Sequence, residues 1–425
     1  MKRARMLCWI VLTLSALLVA ACAPATTGPA PAESQGTIVV GALNDLTGPT
    51  SDVGKDYALG VQEAVRWINE SGGVNGKKLD LKQYDYGYRV PEAQTTYKRF
   101  RDFDKAVAVL GWGTGDTTAL SPTINQDKMP YVSASYAAEL SDPAKTPFNL
   151  FAASDYSSNA RAAITVWFDE IWMKDPRFEA DRKAGKPRFV AFFGRATPYA
   201  NAPIKAIKEQ AQLLGFEVGP DQDVALTALD TKSQVLAAKD FKPHLVWHGN
   251  TTNSVATALK DAKALGLGAD HIVNNWGFDE NLPKLAGDAA EGVLGIAVSA
   301  FYAESGVKGM DNVVASAQKY NPNIPREQRL IRTVQAWANV LVLREALTRA
   351  DKAGKLNGDG IRAAFEQLKD FDLGLGVPPL TYTTSDHRPT GQVSIYQIKG
   401  GKFNKVKTVD LKAKYADLWP KWIGY

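Results

Sequence analysis

The sequence predicts an α/β protein made of two doubly wound lobes, and three patterns support this class. Short apolar runs alternate with helical segments, which is typical of parallel strands joined by helical crossovers. The alternation restarts near residue 150, so two series of strand–helix units follow each other along the chain. Two helices near the end have no parallel strands of their own and must pack on an existing sheet. The chain is therefore expected to cross between the lobes more than once.

The first series begins with an apolar strand at residues 37–43. Tyr57, Val61 and Ile68 then recur at helical spacing, and Gly72-Gly73 supplies the left-handed residue that ends this helix. The later elements of this series alternate in the same way and are strand 78–85, helix 91–104, strand 106–110, a short helical segment, strand 130–132 and an extended run at 148–153.

The second series starts with a helix and ends with an extended run. Its predicted elements are helix 158–172, strand 188–194, helix 201–214, strand 216–218, helix 231–239, strand 245–248, helix 254–265, strand 271–274 and the run 293–301. The two late helices are predicted at 328–347 and 360–368. Strand-like segments follow at 380–383, 393–399 and 402–406, and Gly400-Gly401 joins the last two as a hairpin.

Small and hydroxyl-bearing residues follow two neighbouring strands of the first series. Strand 106–110 leads into Gly111-Trp112-Gly113-Thr114-Gly115-Asp116, and strand 130–132 leads into Ser133-Ala134-Ser135-Tyr136. Because ligands of open parallel sheets bind at the carboxyl ends of the strands, these loops predict half of a small-molecule cleft. Glycine lets backbone N–H groups reach a ligand, hydroxyls donate to it, and the rings of Trp112 and Tyr136 can form its walls. The loops after the second series of strands carry Tyr199, Thr251 and Trp276.

The first 36 residues predict export and a tether. Lys2, Arg3 and Arg5 precede an apolar core at residues 7–20, which is too short to span a membrane and suits a secretory signal over residues 1–21. The signal ends Leu-Val-Ala-Ala before Cys22, which resembles the lipobox of bacterial lipoproteins and implies lipidation of Cys22. An ordinary cleavage site with an incidental cysteine is the alternative. Residues 22–36 are rich in Pro, Ala and Thr and predict a flexible tether.

The composition argues against several other functions. Cleavage of the signal removes three basic residues and lowers the formal net charge from +5 to +2, and no basic stripe indicates nucleic acid. None of the four histidines belongs to an HExxH motif, and the chain carries no GxSxG elbow or P-loop. Gly111, Gly113 and Gly115 lack the GxGxxG spacing of nucleotide-binding turns. We therefore predict a binding protein with no catalytic residues, no metal and no cofactor. A hydrolase and a sensory binding protein are the alternatives.

Several segments of the chain resemble one known family. The pattern TIVVGALNDLTGP, then NESGGVNGKKLDLKQYD, AVAVLGWGTGDT and MPYVSAS, is similar to the leucine/isoleucine/valine-binding type of periplasmic solute-binding protein. The later segments LAGDAAEGVLG and PPLTYTTSDHRPTGQVSIYQIKGGKF agree with it, so the resemblance covers about residues 37–403. It implies the type I periplasmic-binding-protein fold, in which three crossover strands join two lobes that close by a hinge.

The resemblance also implies the organisation and partners of the protein. Crossings near Ala153, Ala300 and Pro379 would divide the chain into one lobe of residues 37–152 and 301–378 and a second of 153–300 and 379–425. The solute would pass to the permease and ATPase subunits of an ABC importer. The receptor itself is expected to be a monomer, held by its lipid on the extracytoplasmic side of a membrane.

The residues and the resemblance together select the candidate ligand-binding residues. Backbone and hydroxyl groups of the first lobe would hold a carboxylate, and the family places an aromatic contact at Tyr199. The candidates are Trp112, Gly113, Thr114, Gly115, Asp116, Thr117, Ser135, Tyr136, Tyr156, Tyr199, Thr251 and Trp276. Core packing is the alternative for Trp112 and Trp276, hinge packing for Tyr156, and helix capping for Asp116.

The predicted solute is an amino acid of the branched-chain type, and the position of Trp276 motivates an alternative class of solute. Family members carry a carboxylate for the ligand's ammonium where this chain has Trp276. A branched-chain amino acid would then need Asp45, Asp116 or Asp279 as a substitute, because a buried ammonium with no counter-charge costs several kcal/mol. The alternative solute is an amine-free or aromatic small acid or a neutral amide. A third possibility is a cation held by an aromatic box of Trp112, Tyr136 and Trp276.

Overall fold

Thirteen strands form two sheets in the part of the chain that the structure describes. The structure is a computed structural model that describes residues 36 to 425, so the signal, Cys22 and the tether up to residue 35 lie outside the described residues and stay predictions. The strands are β1 (Thr37–Asn44), β2 (Lys78–Asp85), β3 (Ala108–Gly111), β4 (Tyr131–Ser133), β5 (Asn149–Leu150), β6 (Arg188–Phe193), β7 (Glu217–Val218), β8 (Gln222–Asp223), β9 (Leu245–His248), β10 (Asp270–Val273), β11 (Leu294–Ala297), β12 (Gln392–Lys399) and β13 (Lys402–Asp410).

Fourteen helices cover and connect these strands within residues 36 to 425. They are α1 (Ser51–Glu70), α2 (Val90–Asp102), α3 (Thr114–Asp127), α4 (Tyr156–Val166), α5 (Glu179–Ala184), α6 (Pro198–Asn201), α7 (Ile204–Leu213), α8 (Lys232–Phe241), α9 (Thr252–Ala264), α10 (Leu282–Ala286), α11 (Met310–Tyr320), α12 (Ile331–Lys352), α13 (Gly358–Glu366) and α14 (Leu411–Lys414). Among the described residues, none of the helices combines the length and apolarity needed to cross a bilayer.

The first sheet has five parallel strands in the order β2-β1-β3-β4-β5. Strands β3 and β4 are short apolar runs whose side chains are buried, as in a sheet covered by helices, whereas most residues of the edge strand β2 are half-buried. From β1 the chain goes first to one side, to β2, and then to the other side, to β3. The loops that leave β1 and β3 therefore diverge, and such a switch point creates a crevice at the carboxyl ends of the strands.

The second sheet follows the order β13-β12-β11-β10-β9-β6-β7, with β8 also paired to β6. Strands β6, β9, β10 and β11 are parallel, whereas β12 is antiparallel to both β11 and β13. The switch point of this sheet lies between β6 and β9. Gly400 and Gly401 have φ of 57° and 70°, which confirms the predicted Gly-Gly hairpin turn between β12 and β13.

The chain crosses between the two halves three times. It passes from β5 to α4 and the second sheet, from β11 back to helices that pack on the first half, and from α13 to β12. Helix α12 lies against α1, where the buried Arg329 pairs with Glu63 at 2.6 Å and Asp56 at 3.3 Å. These crossings confirm the predicted fold class and the expectation that the late helices pack on an existing sheet.

The connecting segments also run close together. The Ala300 amide donates to the Leu375 carbonyl at 2.8 Å, and the Tyr382 hydroxyl donates to the Phe151 carbonyl at 2.7 Å. Each bond joins two different connections between the halves. The residue boundaries predicted for the two lobes are compatible with this arrangement and stay a prediction.

Three predicted elements differ from the observed ones for local reasons. The helix expected at 158–172 begins at Tyr156 and ends in a π-helical turn, Trp167–Trp172, whose two tryptophan rings stack at 5.9 Å. The helix expected at 201–214 is split between α6 and α7 at Pro203, which has no N–H to donate. Residues 380–383 make two isolated bridges, Phe371 with Leu380 and Thr383 with Asp386, instead of a strand. Helix α11 was absent from the prediction.

Candidate functional site

A small cavity of about 20 Å³ lies where the carboxyl ends of the two sheets face each other. Loops after β1, β2 and β3 contribute one side, and loops after β6, β9 and β10 contribute the other. The residues that line the cavity are Thr50, Val53, Tyr88, Trp112, Gly113, Thr114, Tyr156, Tyr199, Thr251 and Trp276. This space is room for about one water molecule, so the walls must move apart before a solute can enter.

Seven of the residues predicted from sequence line this cavity, and five do not. The lining residues are Trp112, Gly113, Thr114, Tyr156, Tyr199, Thr251 and Trp276. The buried residues Asp116, Thr117, Ser135 and Tyr136 lie behind the wall, and Gly115 is half-buried beside Pro198. Thr50, Val53 and Tyr88 also line the cavity and were not predicted. The same rule of strand ends would have found them, because they follow β1 and β2.

On the first side of the cavity, Gly113, Thr114, Thr117 and Ser135 form a hydrogen-bonded surface, which we call the floor. Gly113 precedes the first residue of α3, so the N–H groups that follow it have no partner within the helix. The hydroxyls of Thr114 and Ser135 are 2.7 Å apart, and the Thr117 hydroxyl donates to the Gly113 carbonyl at 2.6 Å. A Cβ atom on Gly113 would come within 2.2 Å of the Asp116 carboxyl, so this close approach requires glycine.

Asp116 is a buried carboxyl directly behind this floor. The Tyr86 hydroxyl donates to its Oδ1 at 2.8 Å, and its Oδ2 has no hydrogen-bond partner among residues 36 to 425. Burial raises the pKa of Asp116 to about 7, and the hydrogen bond from Tyr86 only partly opposes this rise. The carboxyl is therefore partly protonated near neutral pH.

Aromatic rings from both halves meet across the cavity. The ring centres of Trp112 and Trp276 are 5.0 Å apart, and Tyr57 lies 5.0 Å from Trp112. Tyr136 stacks on Trp276 at 5.9 Å from behind the wall. The cluster predicted from Trp112, Tyr136 and Trp276 is thus present, with Tyr57 as an additional member.

The indole N–H groups of this cluster are already used within the protein. Trp112 donates to the Thr50 hydroxyl at 2.9 Å, and Trp276 donates to the Tyr156 hydroxyl at 2.8 Å. These bonds fix the orientations of both rings. The tryptophans therefore offer apolar surface to a solute and no hydrogen-bond donor.

Two buried hydroxyls of the cavity have no hydrogen-bond partner among residues 36 to 425. Tyr199 contacts the ring of Tyr156 edge-on at 5.3 Å, and its hydroxyl has no hydrogen-bond partner within the described chain. The Thr251 hydroxyl is also buried without one. Burial raises the pKa of Tyr199 well above its usual value, so its hydroxyl stays a donor. Each unpaired buried hydroxyl costs about 1–3 kcal/mol, and a polar group of a solute could remove that cost.

The three carboxylates considered as partners for an ammonium are bonded elsewhere. Asp45 accepts from the Gly48 amide at 2.6 Å and from the Thr50 amide and hydroxyl at 2.8 and 2.7 Å. Asp116 lies behind Gly113, and Asp279 is paired with an arginine. Among the described residues, none of those lining the cavity carries a charged side chain.

Arg332 is the partner of Asp279, and it was not predicted as a site residue. It is fully buried, its Nη2 lies 3.1 Å from Asp279 Oδ2, and its guanidinium lies 5.0 Å from the ring centre of Trp276. The positively charged guanidinium of Arg332 therefore already lies over the Trp276 ring. The sequence gives no local signal for this role, because Arg332 lies in the long helix α12, 53 residues after Asp279.

The two halves also touch beside the cavity. The Asn253 amide, in the first turn of α9, donates to the Asp52 carboxyl of α1 at 3.2 Å. Burial in this contact raises the pKa of Asp52 to about 6. Contacts of this kind between the two halves enclose the cavity.

Two α/β halves, three connections and a cavity at facing strand ends define a two-lobed binding protein. A family model described as periplasmic binding protein matches residues 37–402. The chain belongs to the periplasmic binding protein family.

Individual proteins agree with this assignment. A crystal structure of an ABC transporter substrate-binding protein from Aeropyrum pernix shares 31% identity, with a TM-score of 0.77, and the match covers 88% of this chain and 96% of that one. A branched-chain amino acid ABC transporter structure from Thermus thermophilus with bound valine has a TM-score of 0.79 at 23% identity, covering 89% and 99% of the two chains. An amino acid binding protein of Pseudomonas aeruginosa is 35% identical over 74 residues, which span 17% of this chain and 20% of that protein.

Proposed function

We propose that this protein is the extracytoplasmic solute-binding receptor of an ABC importer, and that its solute is small, largely apolar and free of an ammonium group. The family supports the receptor role. The observation that carries the solute class is the cavity wall of aromatic rings, glycine and hydroxyls, which contains no charged side chain among the described residues.

The chemistry of the wall favours particular solutes. Rings of Trp112 and Trp276 provide apolar contacts, and the hydroxyls of Tyr199 and Thr251 can each bond one polar group. The N–H groups at the start of α3 and the Thr114 hydroxyl suit a carboxylate or amide oxygen. A short branched or aromatic acid, or the corresponding amide, satisfies all of these groups at once.

A branched-chain amino acid is the second candidate. The Thermus thermophilus structure was solved with valine, and the floor around Thr114 suits any carboxylate. An amino acid would in addition place its ammonium among groups that carry no negative charge, which is unfavourable by several kcal/mol. The presence or absence of the amine therefore separates the two candidates.

Calorimetric and thermal-shift titrations with matched pairs test the proposal. Leucine, isoleucine and valine are compared with 4-methylpentanoate, 3-methylpentanoate and 3-methylbutanoate, which lack only the amine. 3-Phenylpropanoate and 4-methylpentanamide extend the series to a ring and a neutral amide. A true solute at one hundred times its Kd should stabilise the fold by about 2.7 kcal/mol. Preference for the amino acids over their amine-free counterparts would overturn the proposed solute class.

We extend the proposal to the location and state of the protein. Export by residues 1–21, a lipid on Cys22 and a monomeric receptor that delivers solute to permease and ATPase subunits form one consistent account. Replacing Cys22 by Ser should release the protein from the membrane fraction without changing solute affinity. Recovery of the bound solute unmodified, measured by mass spectrometry, is expected for a receptor and would not be obtained with a hydrolase.

A further inference from the structure

One buried cation lies just outside the cavity wall. Arg332 is fully buried, and its guanidinium lies 5.0 Å from the ring centre of Trp276, which lines the cavity. Arg332 does not itself line the cavity, so its charge acts on a solute across Trp276 and without contact. Charges in a poorly solvated interior act over such distances more strongly than in water.

The carboxylate that Arg332 neutralises belongs to the same loop as Trp276. Asp279 lies three residues further along, and neither Asp279 nor Arg332 has exposed side-chain surface. Besides the pair at 3.1 Å, Asp279 accepts from the Thr252 hydroxyl at 2.6 Å and the Asn281 amide at 3.0 Å. Its charge and its hydrogen-bonding capacity are therefore satisfied within the protein.

The pair also links the two halves. Arg332 belongs to α12, which packs on α1 in the first half, whereas Asp279 follows β10 of the second sheet. The Arg332 Nη1 donates in addition to the Asn275 carbonyl at 2.9 Å, immediately before Trp276. The guanidinium thus contacts the loop at residues that come before and after Trp276 in the chain.

We propose that Arg332 is a specificity-determining residue that acts by neutralising Asp279 behind the Trp276 ring. It supplies from within the protein the positive charge that an ammonium would otherwise bring to Asp279. This inference rests on the proposed function, because it explains how the amine-free solute is selected. An ammonium in the cavity gains no attraction from Asp279, because that carboxylate is already paired. An amine-free solute needs no such partner.

Four proteins test the role of this charge. Asp279→Asn leaves the positive charge of Arg332 unpaired, and Arg332→Gln leaves the negative charge of Asp279 unpaired. Wild type and the double variant Arg332→Gln/Asp279→Asn have no net charge at this pair. Asp279→Asn is nearly isosteric, and Arg332→Gln keeps a planar polar side chain that is two heavy atoms shorter. The series therefore changes the charge by one unit at a time. The probes are leucine and 4-methylpentanoate, which share their skeleton and carboxylate and differ in the ammonium alone. The ratio of their Kd values isolates the interaction with that ammonium.

The ratio of leucine Kd to 4-methylpentanoate Kd should follow the charge. We expect it to be highest in Asp279→Asn, equal in wild type and the double variant, and lowest in Arg332→Gln, with steps of about tenfold per unit of charge. If Arg332→Gln does not fold, Asp279→Asn and the double variant still differ by one unit of charge and provide the comparison.

The possible results separate the inference from the proposed function. A constant ratio in proteins that bind the probes would overturn the role of Arg332 and leave the proposed solute class intact. A double variant that resembles Arg332→Gln would also overturn it, because the ratio would then follow the lost side chain and not the charge. Binding of neither probe to any of the four folded proteins would refute the proposed solute class, and the inference with it.

Discussion

Two buried carboxyls lie behind opposite walls of the cavity, and their surroundings differ. In the first half, Asp116 receives one hydrogen bond from the Tyr86 hydroxyl, and burial raises its pKa to about 7. In the second half, Asp279 is paired with the guanidinium of Arg332 at 3.1 Å. The charge of the first carboxyl can follow pH, whereas the charge of the second is balanced by a fixed cation. The comparison shows two ways of keeping uncompensated negative charge away from one cavity.

This difference has a consequence for the solute. A wall backed by a partly protonated carboxyl on one side and a closed ion pair on the other attracts neither strong cations nor strong anions by charge. Selection then depends on shape, on aromatic contact and on a few hydrogen bonds. Four substitutions test this difference between the two carboxyls, and the one at the ion pair should have the strongest effect.

Breaking the ion pair should be the most damaging change. Arg332→Met leaves the Asp279 carboxylate buried with no counter-charge, and we expect the free energy of unfolding to fall by about 3–5 kcal/mol. Urea denaturation measures this loss. The control Arg332→Gln/Asp279→Asn removes both charges and should recover most of the stability. If the single variant is as stable as wild type, Asp279 does not depend on its cation.

A methyl group at Gly113 should disturb the first carboxyl. Its Cβ would lie 2.2 Å from Asp116 Oδ1 and 2.6 Å from the Tyr86 hydroxyl, so Gly113→Ala should lower stability by about 1–3 kcal/mol and weaken solute binding. Gly115→Ala is the matched control, because its nearest neighbour is a Pro198 side-chain carbon at 3.2 Å. Equal thermal stability of the two variants would show that the floor is not tightly fitted.

The raised pKa of Asp116 predicts a pH-dependent penalty on folding. Its ordinary value is 3.8 and its folded value is about 7, so between these values the folded state holds a proton that the unfolded state releases. Below about pH 4, the raised pKa of Asp116 therefore does not lower the free energy of unfolding. The loss grows as the pH rises to about 7. Asp116→Asn keeps an acceptor for the Tyr86 hydroxyl. Its free energy of unfolding relative to wild type should therefore rise by on the order of 2 kcal/mol when the pH is raised from 5 to 8.

Denaturation curves of both proteins at the two pH values measure this gain. Asp288→Asn serves as the control, because the side chain of Asp288 is 98% exposed and should show no such trend. A difference between Asp116→Asn and wild type that does not change with pH would contradict the raised pKa.

The smallest expected effect concerns a single hydroxyl. Tyr199→Phe removes a buried hydroxyl without a partner in the described chain, so stability should not fall, while solute affinity should drop by about tenfold. Tyr382→Phe, which loses a 2.7 Å bond to the Phe151 carbonyl away from the cavity, should show the reverse pattern. Titration calorimetry and thermal unfolding of both variants measure the two effects. An unchanged affinity of Tyr199→Phe would mean that this hydroxyl does not bond the solute.

Local patterns were sufficient for most elements. Strands β2 and β9 begin and end at the predicted residues, because alternation and an apolar run are properties of adjacent residues. Because ligands of parallel sheets bind at strand ends, Trp112, Tyr199 and Trp276 could be predicted to line one cavity although they are far apart in sequence. The interruption at Pro203 and the π-helical turn after α4 were missed, because helical periodicity alone does not reveal a break or a widened turn.

The α/β class, the order of most strands and helices, the packing of the late helices on an existing sheet and the edge at which the cavity lies could be predicted from sequence patterns. Which side chains form the wall and which lie behind it could be seen only in the folded protein, because that depends on the packing of Gly113 against Asp116 and of Tyr136 against Trp276. It alone paired Arg332 with Asp279. Such a pair depends on where two distant segments meet in space, and no periodicity along the chain encodes that meeting.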